Sequence, residues 1–215
     1  MEGIIARLTA LQGSHQPVAA RRAAVLVPLF EDKAGIVRVL LTRRSSKLSS
    51  HQGEVALPGG KCDDADENDI ATALREASEE IALPPSAVQV LATMPPCLSK
   101  HHLSVTPVLA SVPAGLQLVP NMDEVDCIFD MPLENFLQDS PAHRHEDLTW
   151  ASGIWYRMHF FQFGKFNVWG LTAGILIAVA TAAFGRPPAF EAEQPGARPF
   201  TDICFDGRRV AYRQQ

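Results

Sequence analysis

The sequence predicts a mixed α+β sandwich, with strands early and late in the chain and one charged helix between them. Two short apolar runs, at 23–30 and 36–41, are typical of paired strands because they flank the turn-forming segment EDKAG. Apolar residues then recur at helical spacing between Asn68 and Leu83. More strand-like runs follow, and strands on both sides of a single central helix are typical of the α+β class.

The remaining elements are predicted from short apolar runs and their boundaries. Val55–Leu57 has the character of a short strand that runs into a Pro-Gly-Gly turn, and Pro84-Pro85 ends the central helix. Later runs predict strands at 88–94, 103–112 and 125–129, a short helical element at 131–137 and a hairpin arm at 149–161.

The composition is that of a globular chain with an acidic balance. The 215 residues are 47% apolar and 20% charged, which allows a buried core and suits one domain of ordinary size. A formal net charge of −5 argues against a general nucleic-acid-binding surface, so no nucleic acid partner is expected. The four cysteines form no C-x-x-C pair, which favours free thiols over a disulfide framework or a zinc site.

The chain divides into three predicted parts. Residues 1–22 are expected to form a helical extension, residues 23–185 the main domain, and residues 186–215 a tail whose first half is rich in proline. The first residues show no cationic stretch followed by a long apolar segment, so no secretory signal is recognised and a cytoplasmic location is expected. The sequence leaves the oligomeric state open, with a homodimer among the alternatives.

One uncharged segment approaches the length of a membrane span. Residues 168–184 read VWGLTAGILIAVATAAF, and apolar stretches a little under ~20 residues are often buried core helices. The segment is rich in alanine, glycine and threonine. We therefore predict a helix from about Leu171 packed in the core of a soluble protein, with membrane insertion as the less favoured alternative.

Three glutamates crowd one side of the central helix. At 100° per residue, Glu76, Glu79 and Glu80 share one sector, and the apolar residues of the helix point nearly opposite. Like charges at these spacings cost roughly a few tenths of a kcal/mol per pair on a bare helix. Mg²⁺ or Mn²⁺ reverses that sign because both prefer oxygen ligands. The alternative is a solvated helix face held by salt bridges, such as one from Arg75 to Glu79 four residues later.

The Pro-Gly-Gly turn adds groups suited to a phosphate or a metal. Only glycine lets the backbone turn sharply and approach a ligand closely without steric cost, so the carbonyl of Gly60 is a candidate neutral oxygen ligand. Lys61 follows and offers positive charge to a phosphate. Taken alone, the turn is also explained as a plain chain reversal.

Together these residues resemble the Nudix box, the signature of the Nudix hydrolases. Its pattern is Gly, five residues, Glu, seven residues, then Arg-Glu-hydrophobic-any-Glu-Glu-any-Gly-hydrophobic. Residues 75–83, REASEEIAL, fit the second half at every position but one, because Ala82 replaces the glycine. Glu67 stands eight residues before Arg75, as in the pattern, but seven after Gly60 instead of six. We therefore expect one extra residue in the loop before Glu67.

The longer loop resembles the coenzyme A pyrophosphatase branch of that family. This branch typically reads LLTxRS and then GxxxFPGG, and the chain has LLTRRS at 40–45 and HQGEVALPGG at 51–60. The arginine often found before the Ser-His pair is Ser49 here, and the usual phenylalanine is Leu57. With similar segments farther along the chain, the resemblance covers roughly residues 23–177.

The resemblance implies a Nudix-type αβα sandwich with a mixed β-sheet and a catalytic helix at about 68–83. It implies a hydrolase dependent on Mg²⁺ or Mn²⁺ whose partner is a small-molecule diphosphate. The expected substrate is coenzyme A or acyl-CoA, which would give 4′-phosphopantetheine, or its acyl form, and adenosine 3′,5′-bisphosphate.

The same resemblance assigns roles to the residues of the box. Glu76 and Glu80 are the expected principal metal ligands, with Glu79 in or near the coordination shell and the Gly60 carbonyl as an addition. Catalysis is assigned to Glu79 and Glu76, and to Arg75, which would orient the carboxylate of Glu79. Which glutamate is the general base stays open.

Substrate contacts are expected from Arg43, His51 and Lys61. Arg43 and Arg44 follow a strand, where neighbouring side chains face opposite ways, and Arg43 is preferred for the phosphate. His51 binds a phosphate or caps a loop, with equal weight. Glu124 joins the catalytic groups from a distant loop or belongs to an exposed acidic turn.

Two alternatives to a coenzyme A pyrophosphatase stay open. One is the same chemistry on ADP-ribose, NADH or a nucleoside triphosphate, which the replacement at Ser49 keeps open because a lost arginine weakens recognition of a phosphate. The other is a Nudix-fold binding module without turnover. The intact Arg75 and its neighbouring glutamates argue against that module.

Overall fold

The computed structural model describes residues 1–12, 16–48, 51–150, 152–205 and 209–213, and it shows an αβα sandwich. The α-helices are α1 (Glu2–Thr9), α2 (Asp69–Ile81) and α3 (Gly170–Phe184). The strands are β1 (Arg21–Glu31), β2 (Val37–Arg44), β3 (Val55–Ala56), β4 (Gly59–Lys61), β5 (Gln89–Thr93), β6 (Cys97–Leu98), β7 (Leu103–Ser111), β8 (Val125–Pro132), β9 (His143–Thr149), β10 (Trp155–Phe163), β11 (Phe166–Trp169), β12 (Ile203–Phe205) and β13 (Val210–Tyr212). Short 3₁₀ turns occupy Pro85–Ala87, Leu133–Leu137 and Phe200–Asp202.

The main sheet is mixed, as predicted. Its central path runs β3-β2-β1-β7-β5, with β8 beside β2, β4 beside β1 and β6 beside β7. The pair β1 and β7 is parallel, and the other described pairs of this sheet are antiparallel. β4 therefore lies against the first half of β1, and this pairing brings the Pro-Gly-Gly turn next to α2.

Alternation along the strands builds the two layers of the sandwich. Successive side chains of a strand point to opposite faces. Leu26 packs into the core layer that contains Ala77 of α2. Its neighbour Val27 packs into the layer that contains Leu8 of α1 and Leu176 of α3. The sheet is thus covered by α2 on one face and by α1 and α3 on the other.

The apolar segment at 168–184 forms the end of β11 and the helix α3. This helix has 15 residues, and Leu176 and Ala180 are fully buried against the sheet layer. Near its end, Arg7 Nε of α1 donates a hydrogen bond to the carbonyl of Ala183 at 2.7 Å. The prediction of a buried core helix is confirmed. Within the described ranges, we find no helix with the length and apolar character that a bilayer crossing requires.

The predicted hairpin arm at 149–161 is wrong in its extent. β9 ends at Thr149 and β10 begins at Trp155, and the backbone N–H of Trp150 bonds the carbonyl of Ile154 at 2.8 Å across the turn. Gly153 adopts a φ of 82°, which an L-residue reaches only with strain. The hairpin turn therefore lies inside the stretch that the apolar pattern had joined.

The last part of the chain is more ordered than its composition suggested. The proline-rich stretch 187–199 is irregular, as predicted, but β12 and β13 then pair as a small antiparallel hairpin. Ile203 and Val210 bury their side chains in a small cluster with Val18 and Leu98. All four cysteines are free thiols, as expected.

Caps fix both ends of α2. At its start, the side chain of Asn68 accepts a hydrogen bond from the backbone N–H of Ala71 at 3.0 Å. At its end, Ala82 has φ 52° and ψ 33°, which is the left-handed conformation. The N–H of Ala82 bonds the carbonyl of Ser78 at 3.0 Å. Glycine is the usual residue at such a helix end, so Ala82 keeps the shape of the cap while bearing the strain of its Cβ.

We predict that Ala82→Gly stabilises the protein. The expected rise in the free energy of unfolding is about 1 kcal/mol, because an L-residue in the left-handed region costs roughly 1–2 kcal/mol and the freedom of glycine in the unfolded chain offsets part of the gain. Urea denaturation followed by circular dichroism measures this change.

The same exchange earlier in the helix is the matched control. Ala71 lies in the first turn of α2, where the backbone is helical. Ala71→Gly is expected to lower the free energy of unfolding by about 0.5–1 kcal/mol. Equal signs for the two substitutions would contradict the strain that we assign to Ala82.

Candidate metal centre

Three carboxylates converge at the end of α2. Glu76 and Glu80 come from successive turns of the helix, and Glu124 comes from the loop just before β8. One oxygen from each of the three lies within 4.8 Å of the other two. A set of carboxylate oxygens suits a hard divalent cation such as Mg²⁺ or Mn²⁺. Glu124, which the sequence left between two interpretations, is therefore part of this cluster.

Glu80 is the buried member of the cluster. The residue is only 2% exposed, and its carboxylate accepts a hydrogen bond from the backbone N–H of Gly59 at 3.1 Å. Arg44 Nη1 lies 3.5 Å from the other oxygen. Burial raises the pKa of Glu80 to about 7, and the carboxylates of Glu76 and Glu124 act in the same direction. The positive charge of the described residues is too small to offset the cost of burying Glu80 as an anion.

Glu76 is half-buried against the Pro-Gly-Gly turn. A Cβ placed on Gly60 would lie 2.5 Å from the carboxylate carbon of Glu76, so any larger residue would displace this carboxylate from its present position. Burial raises the pKa of Glu76, while the adjacent guanidinium of Arg75 lowers it. The close approach places Gly60 beside a predicted ligand. The assignment of its carbonyl as a further ligand stays a prediction.

Glu79 does not join the other carboxylates. Its side chain is 53% exposed, and it pairs with Arg75 Nη1 at 3.0 Å. From Glu76, the helix turns about 40° to Glu80 but about 60° the other way to Glu79, which carries Glu79 toward solvent. The three glutamates that the sequence grouped on one face are therefore divided between two environments.

Arg75 fixes this face of the helix. Its Nε and Nη2 donate to the two oxygens of Asp66 at 3.0 and 2.9 Å, and Nη1 donates to Glu76 at 3.0 Å. The guanidinium holds the pKa of Asp66 well below its usual range. The predicted pairing of Arg75 with Glu79 is present, but the fork-to-fork contact is made with Asp66.

Asp66 is a residue that the sequence analysis missed. It stands six residues after Gly60, which is the spacing of the box acid, whereas Glu67 is exposed. The expected extra residue thus lies between the acid and Arg75, and not in the loop before Glu67. The carboxylate at the sixth position after Gly60 was the signal, and the match of Glu67 to the spacing from Arg75 obscured it.

The two arginines at the end of β2 have separate environments. Arg43 Nη2 lies 3.5 Å from Asp126, and Arg44 lies beside Glu80. An irregularity in the β2–β8 register falls between the two arginines, and such bulges commonly redirect side chains. Arg44, and not the preferred Arg43, therefore reaches the carboxylates. Within the described ranges, the buried Nε atoms of both arginines have no hydrogen-bond partner. The pattern LLTxRS, whose arginine falls at Arg44, was the signal.

The other predicted substrate contacts are less central. His51 Nδ1 lies 2.7 Å from Glu54, and its Nε2 lies 3.0 Å from His101. Lys61 is exposed, and its carbonyl accepts a hydrogen bond from Arg75 at 3.1 Å. Ser49, where an arginine was expected, lies outside the described residues. None of these contacts shows binding to a substrate, so the roles of Arg43, His51 and Lys61 stay predictions.

Comparison with known proteins gives one family. The family model described as NUDIX domain matches residues 20–150. "Nudix hydrolase 15, mitochondrial" from Arabidopsis thaliana is 48% identical over 181 residues, which are 81% of this chain and 63% of the relative. "Uncharacterized Nudix hydrolase NudL" from Shigella flexneri serotype 5b (strain 8401) is 42% identical over 177 residues, covering 82% of this chain and 90% of the relative. The chain thus spans less than two thirds of the plant relative's length.

A solved structure adds a more distant likeness. The crystal structure of a MutT/nudix family protein from Enterococcus faecalis superposes with a TM-score of 0.48 and 20% sequence identity. The match covers 81% of this chain and 63% of that chain.

We predict that Glu80→Gln stabilises the metal-free protein at high pH. The folded state raises the pKa of Glu80 from about 4.5 to about 7. Its contribution to stability is therefore complete below pH 4.5 and is lost as the pH rises through 7. At pH 8 in chelator, the variant is expected to exceed the parent by about 2–3 kcal/mol in free energy of unfolding, with little difference at pH 4.

Glu79→Gln is the matched control, because the same exchange is made one residue away at an exposed position. It should not show the gain in stability at pH 8, because its side chain already lies in solvent. Urea denaturation between pH 4 and pH 8 measures both variants. A Glu80→Gln variant no more stable than the parent at pH 8 would contradict the buried, charged carboxylate.

Proposed function

The chain belongs to the Nudix family, and from this we propose that it is a metal-dependent hydrolase that cleaves the diphosphate bond of coenzyme A or acyl-CoA. The products are 4′-phosphopantetheine, or its acyl form, and adenosine 3′,5′-bisphosphate. The observation that carries the proposal is the convergence of Glu76, Glu80 and Glu124 within 4.8 Å. Three anionic oxygen donors, with Arg44 beside Glu80 and Arg75 beside Glu76, form a site that fits Mg²⁺ or Mn²⁺.

The residues that hold the metal follow from this cluster. Glu76, Glu80 and Glu124 supply carboxylate oxygens, and the carbonyl of Gly60 is a further ligand in the proposal. When bound, the cation neutralises diphosphate charge and lowers the pKa of a coordinated water. Arg75 keeps Glu76 in place through its 3.0 Å hydrogen bond, so the ligand does not have to be ordered at each turnover.

Positive side chains near the cluster bind the diphosphate. Arg44 lies at Glu80 with an unpartnered Nε, counting the described residues, and a phosphate oxygen supplies the missing acceptor. Arg43, His51 and Lys61 are further proposed contacts at the edge of this region. Hydrolysis of a phosphate anhydride is mainly positioning and charge stabilisation, and these residues supply both.

Two carboxylates compete for the role of general base. Glu79 is the residue that the sequence suggested, and it is exposed and paired with Arg75. Glu124 lies among the clustered oxygens. We favour Glu124 as the group that contacts the reacting water, because a base must lie within hydrogen-bond reach of the proton that it removes.

The preference for coenzyme A rests on the extended motif at 40–45 and 51–60. These segments place Arg44 and Ser45 beside the carboxylate cluster. The replacement at Ser49 supports the second candidate, which is the same hydrolysis of ADP-ribose, NADH or a nucleoside triphosphate. A binding module without turnover is disfavoured because the carboxylates and Arg75 are in place.

We predict metal-dependent release of adenosine 3′,5′-bisphosphate by the purified protein. The panel holds coenzyme A, acetyl-CoA, ADP-ribose, NADH and a nucleoside triphosphate, each with Mg²⁺, with Mn²⁺ and with chelator. Products are separated by chromatography. Turnover is expected to be fastest with the coenzyme A compounds and absent with chelator, since the carboxylates alone cannot neutralise a diphosphate.

Other outcomes of the panel discriminate between the candidates. Turnover of ADP-ribose, NADH or the nucleoside triphosphate alone would keep the hydrolase and reject coenzyme A as substrate. No turnover with any compound would contradict the enzyme and favour the binding module.

We predict unequal effects for two glutamate substitutions. Glu124→Gln is expected to lower kcat by about 100-fold or more, because even outer partners of a metal ligand contribute about 10–100-fold. Glu79→Gln is expected to lower it by less than about 10-fold, since this side chain only steadies Arg75. Initial rates at saturating Mg²⁺ measure both. A larger loss for Glu79→Gln would restore Glu79 as the base and reject Glu124.

A further inference from the structure

We propose that Asn121 is the positioning residue that holds the carboxylate of Glu124 beside Glu76 and Glu80. The inference rests on the proposed function, because it explains how a loop residue reaches a site built on α2. Glu124 has no helix or strand of its own to fix it, since it directly precedes β8. Asn121 contacts both sides of the site through its backbone and its side chain.

The backbone of Asn121 is attached to the end of α2. Its N–H donates to the carbonyl of Glu80 at 2.9 Å, and the N–H of Val119 donates to the carbonyl of Ile81 at 3.1 Å. The last carbonyls of a helix have no partner within the helix, so these two amides satisfy them. The loop that carries Glu124 is therefore hydrogen-bonded to Glu80, the residue with the buried carboxylate.

The carbonyl of Asn121 then folds the chain back. It accepts hydrogen bonds from the N–H of Glu124 at 2.9 Å and from the N–H of Val125 at 2.7 Å. This tight turn returns Glu124 toward the helix within three residues. The backbone alone thus brings the Cα of Glu124 near Glu80, but it does not orient the carboxylate.

The side chain of Asn121 supplies that orientation. Nδ2 donates to Glu124 Oε1 at 3.2 Å, and Oδ1 accepts from the N–H of Asp123 at 3.2 Å. The second contact determines the amide assignment, because a backbone N–H can only donate and the oxygen must face it. The NH₂ group then faces Glu124, whose carboxylate can only accept. One oxygen of Glu124 is held, and the other is left for the proposed cation and its bound water.

Ser45 closes the loop from the opposite side. Its N–H donates to the carbonyl of Glu124 at 2.8 Å, and its hydroxyl donates to the carbonyl of Met122 at 3.2 Å. Ser45 is fully buried at the end of β2. The turn is therefore anchored to the sheet as well as to α2, so loss of one side-chain contact leaves the loop in place. Asn121→Asp can then test the amide without unfolding the turn.

The main variant is Asn121→Asp, which keeps the acceptor for Asp123 and removes the donor to Glu124. Asn121→Ser also keeps a turn acceptor but introduces no charge. We expect both variants to lower kcat by about 10–100-fold, because outer hydrogen-bond partners of ligands contribute that much. The KM for coenzyme A should change little, because the interaction acts on the reacting centre and not on substrate binding.

A double-mutant cycle separates orientation of Glu124 from a structural role. In the Glu124→Gln background, each Asn121 variant is expected to change kcat by less than about twofold, because its effect passes through the missing carboxylate. Calorimetric titration of Mn²⁺ gives a second readout, with weaker binding expected for Asn121→Ser. Asp123→Asn is the matched control, since its side chain is 83% exposed and it lies in the same turn. It should match the parent.

The outcomes distinguish this inference from the proposed function. If Glu124→Gln retains full activity, the role of Glu124 fails, and the inference fails with it. If Glu124→Gln is inactive but Asn121→Ser is not impaired, the inference alone is wrong. A loss in Asn121→Asp without one in Asn121→Ser would show that added charge is the cause and would also overturn it. Additive losses in the double mutant, or lowered thermal midpoints, would indicate a structural role.

Discussion

The site depends on the burial of one carboxylate. Glu80 lies against Gly59 at the start of β4, and among the described residues its carboxylate meets only the N–H of Gly59 and a 3.5 Å contact from Arg44. A buried anion is costly unless it is paired, and here two further carboxylates are its neighbours. Only a residue without a Cβ fits at Gly59, because a Cβ there would lie 2.3 Å from the carbonyl oxygen of Ala24 on β1. The tight turn, the β1–β4 pairing and the charge deficit are therefore parts of one arrangement.

Two arginines have different roles around the carboxylate cluster. Arg75 faces outward and is fully engaged by Asp66, Glu76 and Glu79, so it acts as a fixed scaffold. Arg44 makes only a long contact with Glu80 and retains an unpartnered Nε among the described residues. A saturated arginine holds ligands in position, and an unsaturated one is available to an anion. The two roles follow from the number of acceptors that each guanidinium meets.

The sequence predicted those parts of the site that one helix places together. Helical spacing was sufficient to predict that Glu76 and Glu80 share one side of α2, and the Pro-Gly-Gly turn was sufficient to predict a close approach of the backbone at Gly60. Spacing on a helix could not show that Glu79 turns to solvent, because that depends on the sheet packed beside it. Glu124 lies 44 residues beyond Glu80, and its position is set by a loop anchored at both ends. Long-range contacts of this kind leave no periodic signal in the chain.

The end of α2 makes negative charge costly at this place. Helix carbonyls give the C-terminal end a partial negative charge, and α2 has no basic residue in its last turn. Glu80 in that turn therefore adds to an unfavourable field, and Ala82 adds backbone strain beside it. The amides of Val119 and Asn121 neutralise part of this field by binding the last carbonyls. In the proposed metal complex a cation relieves the remainder, so the carboxylate charge that weakens the metal-free helix is the feature that would favour metal binding.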